Sequence, residues 1–309
     1  MTFPGRAGVQ RRGVSIRSAC ARDRRRIKLA AMPSVLVTGT SRGIGHFIAT
    51  HLAANGWDVF AGVRNEEDAT KVKAASQRIT PVILDITNSD HLAALDGSLP
   101  ERLDAVVNNA AMAVGGPMEA VMPAELRRLL EVNVVGQLAV TQAVLPRLRR
   151  SRGRIVFISS LNGKVSFPLL GAYSASKFAL EAAADALRME LKSWDIAVVV
   201  VEPAQTKTDM WRSAYSFVEE MAAAMPSETR QLYERHLPGL GKVLAMTSKM
   251  AVPPAKVAEV VEEALTARRP RARYVVGVGP KLQLAFVTKL PSPVRDRLLR
   301  GIARQPRGL

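Results

Sequence analysis

The sequence predicts a single doubly wound α/β domain with a parallel sheet of about seven strands, and three observations predict it. From Met32 onward, short runs rich in β-branched residues alternate with longer amphipathic stretches. The short runs are apolar at consecutive positions, as in Val35-Leu36-Val37 and Ala197-Val198-Val199-Val200-Val201, which is expected where helices cover both faces of a sheet. A glycine-rich turn lies directly between the first short run and the first amphipathic stretch, where such a sheet receives ligands.

In chain order, the pattern predicts a strand at Val35–Val37, a helix from Gly43 to about Ala54 and a strand at Val59–Val63. A helical stretch near Glu66–Ser76 and strands at Val82–Leu84 and Ala105–Val107 follow. A long helix from about Ala124 to Arg149 leads to a strand at Arg154–Ile158. A second long helix from about Tyr173 to Ser193, a strand at Ala197–Val201 and a late strand at Tyr274–Val276 complete the domain, which is expected to span 32–280. Residues 204–253 interrupt the alternation and are expected to form a helical lid over the substrate site.

The formal charge of +17 suggests nucleic acid until it is located. Residues 1–31 hold eight Arg and one Lys against one Asp, and residues 267–309 hold nine Arg and two Lys against one Asp, so the body between them is close to neutral. A protein that tracks phosphates places its charge on the folded body, so no nucleic-acid partner is expected. Residues 1–31 lack apolar periodicity before Ile27 and read as a basic, disordered extension, with an organellar transit segment as the other reading. Met32 is the expected natural start. One cysteine, Cys20, excludes an internal disulfide framework and favours a reducing, cytoplasmic setting. Four scattered histidines offer no metal-ligand spacing, so no metal is expected.

Thr38-Gly39-Thr40-Ser41-Arg42-Gly43-Ile44-Gly45 joins the first strand to the first helix. Glycines there let the backbone approach a pyrophosphate, and the helix start offers free N–H groups to it, as in a Rossmann-type dinucleotide site. The second strand ends Val63-Arg64, with no acid until Glu66. A carboxylate at that place would bind a ribose diol, whereas Arg64 and Arg42 suit a 2′-phosphate, so NADP(H) is expected over NAD(H).

Tyr173 and Lys177 lie four residues apart on one face of a predicted helix. An ammonium beside a phenol is expected to lower the phenol's pKa and make it a usable acid or base for a carbonyl oxygen. Ser159-Ser160 adds a hydroxyl at a strand end, and Asn133 sits in the preceding long helix.

TGTSRGIG (38–45), NNAA (108–111), NVVG (133–136), ISS (158–160) and YSASK (173–177) together resemble the short-chain dehydrogenase/reductase superfamily over about residues 33–280. Arg64 followed by Asn, YSASKFALE and the long variable segment are most similar to the branch of 17β-hydroxysteroid and retinol dehydrogenases. The resemblance implies an oxidoreductase with Tyr173 as general acid and base, Lys177 on the nicotinamide ribose, Ser160 on the substrate oxygen and Asn133 keeping a water in a proton relay. It also implies Ser41 and Ile44 at the pyrophosphate, Asp85 and Ile86 at the adenine and Asn109 by the adenine ribose. Pro203, Thr206 and Thr208 would line the nicotinamide end. Two departures from the family pattern are Ala111 and Ala204, each standing where glycine is usual.

Met210, Trp211, Tyr215, Phe217, Met221, Met225 and Tyr233, with Phe167, Leu169 and Leu170, supply large apolar surface in and near the lid. Either they line a pocket for a bulky lipophilic substrate, such as a steroid, retinoid or long-chain carbonyl, or they are the lid's own core. Residues 281–309 form a basic amphipathic segment that suits a peripheral membrane surface or a helix packed on the lid or on a partner subunit. The resemblance implies a homodimer or homotetramer.

Overall fold

The computed structural model describes residues 32–206, 214–249, 251–277 and 286–306. The basic extension 1–31, Thr208, Met210, Trp211, Leu282, Leu284 and the side chain of Tyr215 lie outside the described residues.

Seven parallel strands form one sheet in the order β3-β2-β1-β4-β5-β6-β7. They are β1 (Ser34–Thr38), β2 (Asp58–Val63), β3 (Ile79–Ile83), β4 (Ala105–Asn108), β5 (Arg154–Ile158), β6 (Ala197–Pro203) and β7 (Arg273–Val276). The strand order reverses between β1 and β4, and that switch point opens a crevice at the carboxyl edge. Val35 and Val37 enter one core cluster with Val107, Val156, Val199 and Val201, while Leu36 enters the other with Val106, Ile155, Phe157 and Val200. Alternate residues of each strand thus serve opposite faces, and both faces are apolar because both are covered.

Helices α1 (Gly43–Ala54) and α10 (Pro254–Thr266) cover the first face. The second face is covered by α3 (Ser89–Ser98), α5 (Gln137–Ser151) and α6 (Gly171–Glu190). Helix α2 (Glu66–Ala74) follows β2. Helix α3 is an element the periodicity did not mark, since its interior buries only Leu95; its start is set by Asn88, whose side chain accepts from Asp90 N and His91 N. Strand β3 begins three residues before its expected place and tolerates Pro81, because it is the edge of the sheet and needs no donor on its outer side.

The expected long helix over 124–149 is three pieces: α4 (Pro123–Leu130), a π turn (Glu131–Gly136) and α5. The whole stretch Pro123–Ser151 is long and apolar enough to cross a membrane. Its apolar inner side nevertheless packs on the sheet through Val140, Val144 and Leu148. The segment expected to form the lid holds α7 (Ala214–Ala223), α8 (Ser227–Tyr233) and α9 (Leu237–Lys249). Here Met221 and Met225 pack with Leu169, Leu240 and Leu244, so these two methionines belong to the lid's own core. Helix α11 (Ser292–Ile302) closes the described chain.

Candidate active site

The turn after β1 is shaped by glycine at two places. Gly39 has φ +68°, and a Cβ at Gly45 would stand 2.1 Å from the Gly39 carbonyl oxygen and 2.5 Å from Asn109 Nδ2. Neither position admits a side chain without moving backbone. Asn109, expected beside the adenine ribose, donates from Nδ2 to the carbonyls of Thr38 (3.0 Å) and Gly39 (3.1 Å). Thr38 Oγ1 accepts from the main chain of Asn109 and Ala110, 3.0 Å each. The loop after β4 is therefore stapled to the glycine turn, which holds that turn open.

Helix α1 begins with no capping side chain and no acid in its first turn. Ser41 and Ile44 are half-buried on the turn, and Arg42 is exposed at the cap position. The next helix along the same edge is built oppositely. Asn65 Oδ1 accepts from Asp68 N at 2.8 Å, and Glu66, Glu67 and Asp68 fill the first turn of α2. Among the described residues, no side chain caps the first N–H groups of α1, a helix start suited to an anion. Arg42 and Arg64 form no ion pair with a carboxylate among the described residues. Partial burial raises the pKa of Asp85, but hydrogen bonds from Thr87 N (2.9 Å) and Oγ1 (2.7 Å), with the nearby charges of Arg64 and His91, outweigh it and leave the carboxyl below its ordinary value. Ile86 turns its side chain into the core and packs against Gly136. These groups fit a phosphate-bearing dinucleotide: an uncapped helix start, a glycine cradle and two unpaired guanidinium groups.

Tyr173 and Lys177 sit on the first turns of α6, facing the end of β5, and both are buried. Lys177 Nζ donates to the Ile158 carbonyl at 2.9 Å and lies 5.9 Å from the Tyr173 ring centre. Burial lowers the Lys177 amine to about 8, with Glu181 opposing the shift. Burial pushes the Tyr173 phenol up to about 12, and hydrogen bonding with Ser160 pulls the other way. In the protein's own groups desolvation outweighs the Ser160 hydrogen bond, so the phenol stays above its ordinary value. A phenol held protonated is a proton donor ready for a carbonyl oxygen. Ser160 Oγ also accepts from Asn162 N at 3.2 Å, which orients the hydroxyl at the head of a short 3₁₀ turn.

Asn133 lies on the π turn, a device that displaces a residue from helical register at functional sites. Its side chain spans three groups: Oδ1 accepts from Met112 N (2.8 Å), while Nδ2 donates to Met112 O (2.9 Å) and Ser176 Oγ (3.0 Å). Both amide hydrogens are spent on the protein, which leaves only a lone pair of Oδ1 for a further donor. Ser176 in turn donates to the Tyr173 carbonyl at 2.7 Å and ties this brace to the catalytic helix. Pro203 ends β6 in the core, and Thr206 is buried beyond it, bridged to Val252. Leu169, four residues before Tyr173, adopts φ +65°, a strained conformation for a branched side chain, and its carbonyl is held by Gly116 N at 2.8 Å.

Sequence reasoning missed Ser176, Gln137 and Glu181. Gln137 donates to the Ala110 carbonyl at 2.8 Å and so supports the loop beside the glycine turn. For Glu181 the signal was spacing, one helical turn after Lys177 on the same face of α6. Among the described residues no cluster of side chains fits a metal ion.

A family model described as short chain dehydrogenase matches residues 33–219. Mouse retinol dehydrogenase 7 is 30% identical over 275 residues, covering 86% of this chain and 87% of its own. An NADPH-dependent 3-dehydrocapnine reductase of Ornithobacterium rhinotracheale is 34% identical, covering 86% of this chain and 96% of its own. The solved structure of a short-chain dehydrogenase from Streptomyces avermitilis superposes with a TM-score of 0.67 at 29% identity, over 87% of this chain and 95% of that one. The glycine turn, the π-turn asparagine and the Tyr–Lys helix all fall inside the matched span. The chain belongs to the short-chain dehydrogenase/reductase family, on its retinol dehydrogenase branch, and is an oxidoreductase that takes a nicotinamide cofactor.

Proposed function

We propose that this enzyme interconverts an alcohol and a carbonyl on a bulky lipophilic substrate, with NADP(H) as its cofactor. The observation that carries the reading is the meeting of Ser160, Tyr173 and Lys177 at the carboxyl end of β5, across the switch point from two unpaired arginines. The cofactor, when bound, supplies the hydride in reduction and accepts it in oxidation. Ser160 holds the substrate oxygen, and Tyr173 gives that oxygen its proton in reduction and takes it back in oxidation. Lys177 holds the nicotinamide ribose. Asn133 braces Met112 and Ser176, and so fixes the wall facing the phenol.

Arg42 and Arg64 favour the 2′-phosphate, and a relative named as an NADPH-dependent reductase supports the same choice. A hollow of about 370 Å³ adjoins the start of α6, with Met118, Phe167, Leu169 and Leu299 as its apolar lining and Ser166, Asp296 and Arg300 as its polar rim, which supports a substrate with a lipophilic body and a polar group. The relative named as a retinol dehydrogenase supports it too. A homodimer or homotetramer would pair through the outer faces of the π turn, α5 and α6, where Val135 on the π turn and Phe178 and Met189 on α6 are exposed. Peripheral membrane contact is favoured by α11, whose exposed Val294, Leu298 and Ile302 recur every four residues beside Arg297 and Arg300.

The test is a panel of lipophilic alcohols and carbonyls assayed with NADPH, NADH and their oxidised forms. Turnover of at least one retinoid, steroid or long-chain carbonyl, faster with NADPH than with NADH, is the expected result. Turnover confined to small polar substrates, or faster with NADH, would overturn it.

A further inference from the structure

Behind Lys177 lies a closed polar box that the reaction as described does not use. Glu181 follows Lys177 by one turn of α6, and its side chain is 4% exposed. Its Oε2 is shared by Lys164 Nζ (2.9 Å) and Arg273 Nε (3.0 Å). Glu202, from β6, turns a side chain 2% exposed into the same box, with Oε1 3.4 Å from Arg273 Nε. Asp185, one turn further along α6, is bound to Arg273 and to Arg188 at 2.7 Å each. The box abuts the catalytic strand end, because a Cβ at Gly163 would stand 2.8 Å from Ser159 Oγ and 3.0 Å from Glu181 Cγ.

One carboxylate would satisfy Lys164 and Arg273. The second leaves Glu181 Oε1 and Glu202 Oε1 buried without a hydrogen-bond donor. Two buried carboxyl groups in contact cannot both ionise cheaply, and a single proton between them removes the repulsion and satisfies both orphaned oxygens. A buried ion-pair cluster adds little net stability over apolar packing, so stability alone does not explain the arrangement.

We propose that Glu181 is a positioning residue for Lys177, and that Glu202 shares one proton with it, the pair keeping a negative charge beside the lysine and the amine cationic. The proposal rests on the reading above for the claim that the charge of Lys177 matters to cofactor and phenol. Burial and the Glu181 carboxylate raise Glu202 to about 7, against the pull of Lys164 and Arg273. Below that pH Glu202 carries the proton and can donate it toward Glu181; above it the proton leaves to water. The charge of Glu181 opposes the burial that draws the Lys177 amine down. Removing that charge makes Lys177 lose its proton at lower pH.

The full chain is compared with Glu202→Gln, Glu181→Gln and Glu181→Asp by pH-difference infrared spectroscopy and by NMR of isotope-labelled lysine ε-carbons, with Lys177 identified by Lys177→Arg. The parent should show a protonated-carboxyl band that fades with a midpoint near about 7, and Glu202→Gln should lack it. The Lys177 midpoint should fall by about one pH unit in Glu181→Gln, by less in Glu202→Gln, and be largely restored in Glu181→Asp. Should Glu181→Gln fail to fold, Glu202→Gln carries both measurements. A carboxyl band that does not titrate, one that persists in Glu202→Gln, or a Lys177 midpoint that no carboxyl variant moves would overturn the proposal. Both measurements need no nucleotide. NADPH titrations across the same pH range then read the consequence, with affinity falling at lower pH in Glu181→Gln. No NADPH binding at any pH would count against the dehydrogenase reading and leave the carboxyl pair standing.

Discussion

Along the carboxyl edge of the sheet, the ends of β1–β3 and of β4–β6 treat polar groups in opposite ways. On the β1–β3 side, Arg42 and Arg64 stand exposed with no ion pair among the described residues, and α1 starts without a side-chain cap. On the β4–β6 side, Asn133, Ser176 and Lys177 are buried, and each is held by a named hydrogen bond. The first half leaves its valences open, as a surface that grips an anion must. The second spends the groups around its phenol on the protein itself, as a site that must hold a proton donor in one place must. Variants in the two halves should therefore separate grip from chemistry.

The largest effect is expected from Tyr173→Phe, which removes one hydroxyl and keeps the ring. Turnover on an active substrate should fall by roughly 10²–10⁴-fold while NADPH affinity stays at the parental value. Near-parental turnover would show that the closed half is not where the proton moves.

Gly45→Ala attacks the open half. The added methyl meets the Gly39 carbonyl and Asn109, so the glycine turn must shift. Fluorescence titration should show NADPH affinity weakened by about a hundredfold or more, equivalent to some 3 kcal/mol. Unchanged affinity would mean that the turn does not contact the nucleotide.

Arg64→Ala should be milder and selective. A charge-assisted hydrogen bond at this exposed position is worth about tenfold in NADPH affinity, with NADH affinity almost unaffected. Equal losses for both cofactors would place Arg64 away from the 2′-phosphate.

The smallest effect tests the contrast between neighbouring helix starts. Asn65→Ala removes the cap of α2 and should cost about 1 kcal/mol of stability, read as a lower Tm, with no change in NADPH affinity. A loss of affinity would show that α2, and not only α1, faces the nucleotide.

Most of the sheet was legible because both of its faces are covered, so its strands appear as unbroken β-branched runs. Glycine turn, Tyr173 and Lys177 were legible for a related reason: their spacing is local, set by one turn and one helix. Asn133 was legible as a residue but not in its task, since the contacts of its side chain come from Met112 and Ser176, distant in the chain. Helix α3 and the early start of β3 escaped because few apolar positions mark them.

The sequence by itself determined the alternation of elements, the cradle for a dinucleotide and the identity of the reacting side chains, since each depends on neighbours within a few residues. Only the tertiary structure decided the electrostatic character of the site. Burial sets Tyr173 up to about 12 and Lys177 down to about 8, and burial is a property of packed elements rather than of spacing. The same holds for Glu181 and Glu202, twenty-one positions apart in the chain. They meet only because α6 packs on β6 and β7 closes the box with Arg273.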